Sequence, residues 1–383
     1  IQLGPPGLET AAGQLGHGAR SPYCSPDTMK RDLAEALGQR HLPALDGIRM
    51  VAVMAVLVAH SYAWIPSGGL GVSAFFVLSG FLITWLLLGE HDETGTISLR
   101  RFYARRTLRI FPAYYTYLLL SFAIDTYVGD THSRSAMVAA LYYGVNYFNA
   151  FNGHPSTSVA ATWSLAVEEQ FYLLWPLLFL SLCSGKRVRI LQGLVALIAI
   201  VVAWRCFLWY QVGMGEAYVY NAFDTRFDTL AVGCLLAVLL KSPSTVARAG
   251  LLARYWWLPM ATLGLLLISH LGISSNWHYG VGFTVDAVLL AVLLVQLLQL
   301  SATSPWRWLD NARVRYLGKI SYPMYLYHGW GMAIGRRIPF GHLHTRFAFG
   351  VLATVGLATG SYYVIERPFL RLKARFELRG MVG

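Results

Sequence analysis

Apolar stretches long enough to cross a bilayer recur along this chain from residue 45 to residue 365, and they leave few folds open. A helix of about 20 residues spans the hydrocarbon core. Inside lipid, only helices or closed barrels satisfy their own backbone, and the short alternating strands of a barrel do not occur in the sequence. Charged residues make up 13% of the chain, about half the roughly 25% of a soluble domain. The expectation is an all-α, polytopic membrane helical bundle.

Eleven segments fit the pattern, roughly 45–64, 69–89, 111–128, 135–150, 163–183, 190–211, 224–240, 255–272, 281–300, 317–335 and 347–365. The fourth, "SAMVAALYYGVNYFNAF", is short for a span and holds two Asn and a Gly. Basic residues decide its place. If it does not cross, twenty Lys and Arg fall in the loops on the amino-terminal side, and four (Arg134, Arg336, Arg337, Arg346) on the other. If it does cross, the later loops flip and most of the bias vanishes. The positive-inside rule therefore predicts about ten transmembrane helices, a re-entrant or interfacial piece at 135–150, and both termini cytoplasmic. The expected location is the cell membrane, inner or cytoplasmic, with the protein crossing many times.

The net charge of +12 sits beside the spans, so it is a topology signal, and no nucleic-acid partner is expected. Cys24, Cys183, Cys206 and Cys234 form no CxxC and no metal spacing, and no metal is expected. Residues 1–40 are rich in Gly, Pro, Ser and Ala and lack a signal-peptide core. They are read as a disordered or non-native tail to about residue 29, with Met29 as the expected start and a short cytosolic helix in "KRDLAEALGQR". The membrane domain is expected over 41–370 and a basic cytoplasmic tail over 371–383.

Ionisable residues inside these spans point to function, because each costs energy in hydrocarbon unless it lines a cavity or finds a partner. In "DGIRMVAVMAVLVAHSYAW", Arg49 and His60 are eleven residues apart. That is close to three turns, so both face the same way about 16 Å apart along the axis. Asp46 lies one turn below Arg49 and can pair with it. The alternative is that Asp46 and Arg49 mark one interface and His60 the other. In "SLRRFYARRTLRIFPAYY", Arg101, Arg105 and Arg109 recur every fourth residue on one face, with Arg106 beside them. Such a stripe suits either anionic headgroups or the phosphates of a bound cofactor, which guanidinium forks match bidentately. In "ATWSLAVEEQFYLLWP", Ser164 and Glu168 share a face while Glu169 points about 100° away. The two carboxylates either complement the helix dipole or, beside a histidine, orient it as a general base. Asp224, Arg226 and Asp228 in "FDTRFDTLAVG", and Ser321, Tyr325 and His328 in "GKISYPMYLYHGW", read singly as polar contacts between helices.

Taken together, these pieces resemble acyltransferase family 3, the integral-membrane acyl transferases that include bacterial O-antigen acetyltransferases. The matching stretches are "LPALDGIRMVAVMAVLVAH", "GVSAFFVLSGFLIT", "RFYARRTLRIFPAYY", "WSLAVEEQFYLLWP", "ISYPMYLYH" and "IERP", in that order between about Leu42 and Phe369. The resemblance implies an acyl-CoA donor, usually acetyl-CoA, and a hydroxyl acceptor on a sugar, a lipid-linked glycan or polysaccharide unit, or a natural product such as a macrolide. It also implies that His60 is the essential catalytic residue with Arg49 its motif partner, and that Arg105, Arg106 and Arg109 are the basic motif. On this reading His60 takes the acceptor's proton and Glu168 holds the imidazole. Arg101, Arg105, Arg106 and Arg109 bind the donor. Asp46, Ser164, Glu169, Asp228, Tyr325 and His328 line or support the site. Many members of the family carry a further hydrolase-like domain, whereas this sequence ends soon after "ERPFLRLKARFELRG", which leaves the acceptor open. The rival class is a multi-span transporter, which predicts an internal repeat that the sequence does not display.

Overall fold

The computed structural model describes residues 32–39, 42–62, 68–183, 187–303, 305–339, 342–373 and Phe376, and these form helices and turns with no strand among them. The expected tail to residue 29, its start at Met29, Cys24 and most of the basic tail lie outside the described residues. A short helix does form in the expected amino-terminal segment, Leu33–Leu37, with Leu33 fully buried against Ala44, Leu45 and Leu294.

The helices used below are α1 (Pro43–Ser61), α2 (Gly68–Thr94), α3 (Leu99–Val128), α4 (Arg134–Leu141), α5 (Val145–Phe151), α6 (Trp163–Cys183), α7 (Arg187–Phe207), α8 (Phe223–Leu239), α9 (Leu258–Leu271), α10 (Phe283–Leu300), α11 (Ser321–Arg336) and α12 (Leu343–Ser361). Local chemistry fixes several ends. The Ser98 hydroxyl accepts the Arg101 N–H at 3.4 Å at the start of α3, and Gly129 closes that helix in the left-handed region, φ 76°. Leu173, Leu174, Leu177 and Leu178 on α6 are all exposed while Phe171, Trp175 and Phe179 are buried. An outward apolar face of this size fits hydrocarbon and would be a liability in water.

Polar contacts identify two ends of the bundle. At one, Asp92 near the end of α2 pairs with Arg187 at the start of α7 at 2.6 Å and with Lys241 just past α8 at 3.3 Å. At the other, Tyr62 after α1 meets His344 at the start of α12 at 2.7 Å, and Arg205 near the end of α7 meets Asp228 near the start of α8 at 2.9 Å. Consecutive long helices therefore run alternately between a basic end and a histidine-bearing end. Six helices among the described residues are long and apolar enough to cross a membrane, and seven if the pair Glu216–Leu239 and Pro243–Ala253, bent by 111°, counts as one span. The expected count of about ten is not fixed by that criterion, for physical reasons. α3 carries five arginines in its first eleven residues, and α9 and α11 have only 14 and 16 residues, about 21 and 24 Å of helix. The 135–150 segment breaks into α4 and α5, of 8 and 7 residues, too short to cross, as the charge bias required.

A close crossing joins α2 to α8. A Cβ on Gly80 would lie 2.0 Å from the Leu230 carbonyl oxygen, and one on Gly233 would lie 2.1 Å from that of Val77. Main chain touches main chain here, as small residues permit in membrane bundles where the hydrophobic effect does not drive helices together. Gly80→Val or Gly233→Val should abolish the monodisperse peak in detergent size-exclusion chromatography. Gly264→Val, where a Cβ meets nothing within 4 Å, should keep it. A monodisperse Gly233→Val protein would show that the helices can part at this crossing.

Candidate active site

The basic end is organised by one carboxylate. Glu90, 1% exposed, accepts from Arg105 at 3.0 Å through one oxygen, and its other oxygen lies 3.5 Å from Arg101 and accepts the Ser98 N–H at 3.0 Å. Arg105 also donates to the Phe376 carbonyl at 3.0 Å. The expected single cluster of arginines is thus divided. Arg101 and Arg105 share Glu90. Arg106 turns into the bundle, 5.2 Å above the Tyr172 ring and 5.9 Å above that of Phe102. Arg109 lies within electrostatic reach of Arg49 and Glu366.

One level further in, the expected Asp46–Arg49 pair forms at 3.0 Å. Glu168 sits near Arg49 and Arg106, and the Ser79 hydroxyl donates to its Oε1 at 2.9 Å. The Tyr172 hydroxyl lies 2.9 Å from Ser79 Oγ and 3.3 Å from Glu168 Oε2. The Gly80–Gly233 crossing fixes the depth of this cluster, since Ser79 precedes Gly80 on α2. Glu169 points elsewhere, as its spacing from Glu168 required, and its buried Oε1 has no hydrogen-bond partner.

At the other end of α1, His60 is exposed, and its Nδ1 is 2.9 Å from the Val56 carbonyl. A carbonyl only accepts, so Nδ1 carries a proton, and in the neutral tautomer that this contact selects the lone pair is on Nε2. Glu168 therefore does not hold this ring, contrary to expectation. Its oxygens are taken by Ser79 and Tyr172, and a main-chain carbonyl of α1 holds the imidazole instead. His328 faces His60 edge-on with ring centroids 4.5 Å apart. His328 is 1% exposed, its Nδ1 donates to the Tyr325 carbonyl at 2.5 Å, and its Nε2 is buried without a partner. The Tyr325 hydroxyl donates to the Ala161 carbonyl at 2.9 Å, so Ser164 Oγ, 2.6 Å away, is the donor to Tyr325. Ser164, Tyr325, His328 and His60 thus form one connected patch across α6, α11 and α1. His154, in the turn after α5, bonds through Nδ1 to the Asn221 side-chain oxygen at 2.8 Å, and burial together with nearby His60 lowers its pKa.

Asp228 stands apart from this column. It pairs with Arg205 at 2.9 Å, both 0% exposed, and accepts the Thr284 hydroxyl through the same oxygen. Arg205 also donates to the carbonyls of Thr225 and Gly280 at 2.7 Å each. Arg226 stacks on the Phe283 ring at 3.7 Å. The sequence reading did not single out Arg205, Asp286, Glu90, Ser79 or Tyr172. Arg205 in "VVAWRCF" and Asp286 in "FTVDAVLL" carried the signal of a charge within an apolar run. Ser79 and Tyr172 carried none of their own.

The family model of the acyltransferase domain Acyl_transf_3 matches residues 42–365. The chain belongs to acyltransferase family 3. Within this family, it is 30% identical over 366 residues to a Staphylococcus aureus (strain COL) protein named "Putative O-acetyltransferase SACOL0978", covering 86% of this chain and 57% of that protein. It is also 30% identical over 318 residues to "O-acetyltransferase OatA" of Staphylococcus aureus (strain NCTC 8325 / PS 47), covering 77% of this chain and 51% of that protein. The chain thus spans little more than half the length of these relatives. No solved structure matches it.

Removing one partner of the Arg205–Asp228 pair leaves a buried charge unmatched. Asp228→Asn should destabilise the acyltransferase by about 3–5 kcal/mol, read as a lowered Tm in detergent. Arg205→Met with Asp228→Leu should recover part of that loss, because no uncompensated charge remains. An Asp228→Asn protein that melts with the wild type would mean that the Thr225 and Gly280 carbonyls and the Thr284 hydroxyl satisfy Arg205 without the carboxylate.

Proposed function

We propose that this family 3 acyltransferase is a membrane O-acyltransferase. It moves an acyl group, acetyl first among candidates, from acyl-CoA at the basic end to a hydroxyl at the histidine end. The carrying observation is His60, exposed at the end of α1 with Nδ1 held by the Val56 carbonyl, so that Nε2 is the atom left to act as base, above a column of arginines on the same bundle. Arg105 and Arg109 bind the phosphates of the donor, with Glu90 holding the Arg105 fork in place, Arg101 beside it and Arg106 further in. The pantetheine arm reaches along α1, about 16 Å from Arg49 to His60. His60 Nε2 takes the acceptor's O–H proton as the oxygen attacks the thioester carbonyl. The C–S bond then breaks, and the imidazolium returns the proton to the departing CoA sulfur. His328 packs the ring, and Ser164 and Tyr325 line the same patch. Glu168, with Asp46 and Glu169, balances Arg49 and Arg106 below it.

The names of the relatives support O-acetylation, and the basic-residue bias supports an orientation with both termini and the arginine end in the cytoplasm, where acyl-CoA is made. The acceptor is a sugar hydroxyl on a lipid-linked or polymeric glycan, or one on a macrolide. A transporter has lost its ground, since the family is defined by an acyltransferase domain.

The test is transfer from radiolabelled acetyl-CoA to a panel of sugars and macrolides by purified protein in detergent. His60→Ala should lose at least about 10²-fold in transfer, the size of a general base contribution, and still bind acetyl-CoA. Transfer that survives His60→Ala would overturn the assignment of the base. Arg105→Ala and Arg109→Ala should each weaken acetyl-CoA binding roughly ten- to a hundredfold, as expected for a lost charged hydrogen bond. Unchanged affinity in both would remove the phosphate site.

A further inference from the structure

His270 lies at the end of α9, His278 in the wide turn His278–Gly282, and Asp286 in the first turn of α10. Each offers one ligand atom, and the three atoms lie within 4.8 Å of one another. Asp286 Oδ2 is 2.8 Å from His270 Nδ1, while Oδ1 accepts the Ser269 hydroxyl at 2.7 Å. Trp277 Nε1 in turn donates to Ser269 Oγ at 3.2 Å. The carboxylate is therefore oriented from behind, as the supporting shell of a metal ligand is. The His278 ring stands edge-on to that of His270 with centroids 4.8 Å apart. Its Nδ1 is buried and has no hydrogen-bond partner. A buried polar atom without a partner calls for an explanation, and an ion is one of the few available.

We propose that His270, His278 and Asp286 bind a divalent transition-metal ion of the zinc type, with a water in the fourth position. Two imidazoles and one carboxylate favour zinc, cobalt or nickel over the oxygen-seeking magnesium and calcium. The ion replaces the proton shared by His270 Nδ1 and Asp286 Oδ2 and takes His278 Nδ1 as its third ligand. Tetrahedral zinc with bonds of about 2.0–2.1 Å holds its ligand atoms roughly 3.4 Å apart. Closing the site thus asks the His278 ring to swing in by about an ångström. The site would tie the ends of α9 and α10 across the turn that joins them. It lies at the His60 end of the bundle: a Cβ on Gly69 would be 3.3 Å from the His270 ring, and one on Gly68 would be 3.0 Å from Ala59. It does not depend on the acyl-transfer reading.

The experiment uses tag-free protein in detergent, stripped with a chelator and titrated with Co2+. The expected result is a saturable visible spectrum of four-coordinate cobalt at one ion per chain, displaced by Zn2+ and not by Mg2+. His278→Ala and Asp286→Asn should lose it, and His60→Ala should keep it. Zn2+ should also raise the Tm of the wild type and leave that of His278→Ala unchanged, since only a folded-state ligand stabilises by mass action. A wild type that yields no four-coordinate spectrum, or variants that bind as the wild type does, would overturn the proposal. The wild-type titration decides even if a variant fails to fold.

Discussion

A charge carried into hydrocarbon has to find its partner within the protein, and this requirement arranges the interior of the bundle. Glu90 draws Arg101 and Arg105 together at the foot of α3. Asp228 and Arg205 join α8 to α7, and Asp46 pairs with Arg49 one turn away. In water, most such pairs would contribute little. In a bilayer, each one also settles which faces of two helices meet, because an unpaired alternative is so costly. The polar residues of this chain are therefore its assembly instructions as well as its chemistry.

Close backbone contact does the complementary work. With Gly80 and Gly233 the α2–α8 crossing brings main chain against main chain. That leaves Ser79 at the depth of Glu168 and Tyr172, so a packing contact positions a carboxylate. At the other end, hydrogen bonds to main-chain carbonyls hold both His60 and His328 in one tautomer. No carboxylate is needed for that purpose. A backbone carbonyl one turn back on the same helix is always present, whereas a buried carboxylate would itself require a partner.

The division of labour between the two ends follows. The basic end holds fixed positive charge balanced by Glu90, a setting suited to a polyanion. The histidine end holds two imidazoles whose Nδ1 atoms are tied to main-chain carbonyls, an exposed edge at His60, and the hydroxyls of Ser164 and Tyr325. The two chemistries are separated by most of the length of α1. Between them lie Arg49 and Arg106 with Glu168 and Glu169, which keep that interval polar inside an apolar bundle.

Much of this was legible in the sequence. The all-helical membrane class follows from apolar run length. The Asp46–Arg49 pair follows from helical spacing, and the broken 135–150 piece from the bias of basic residues. These are local or statistical consequences of composition along the chain. The structure alone decided which distant residues meet. Ser164 reaches Tyr325 across 161 positions, Glu168 takes Ser79 and Tyr172 in place of His60, and the arginine stripe divides between Glu90 and the bundle interior. The reason is that helical periodicity gives the direction of a side chain on its own helix. The depth at which two helices cross is set by contacts such as Gly80 on Leu230 and Gly233 on Val77, and no single helix contains that information.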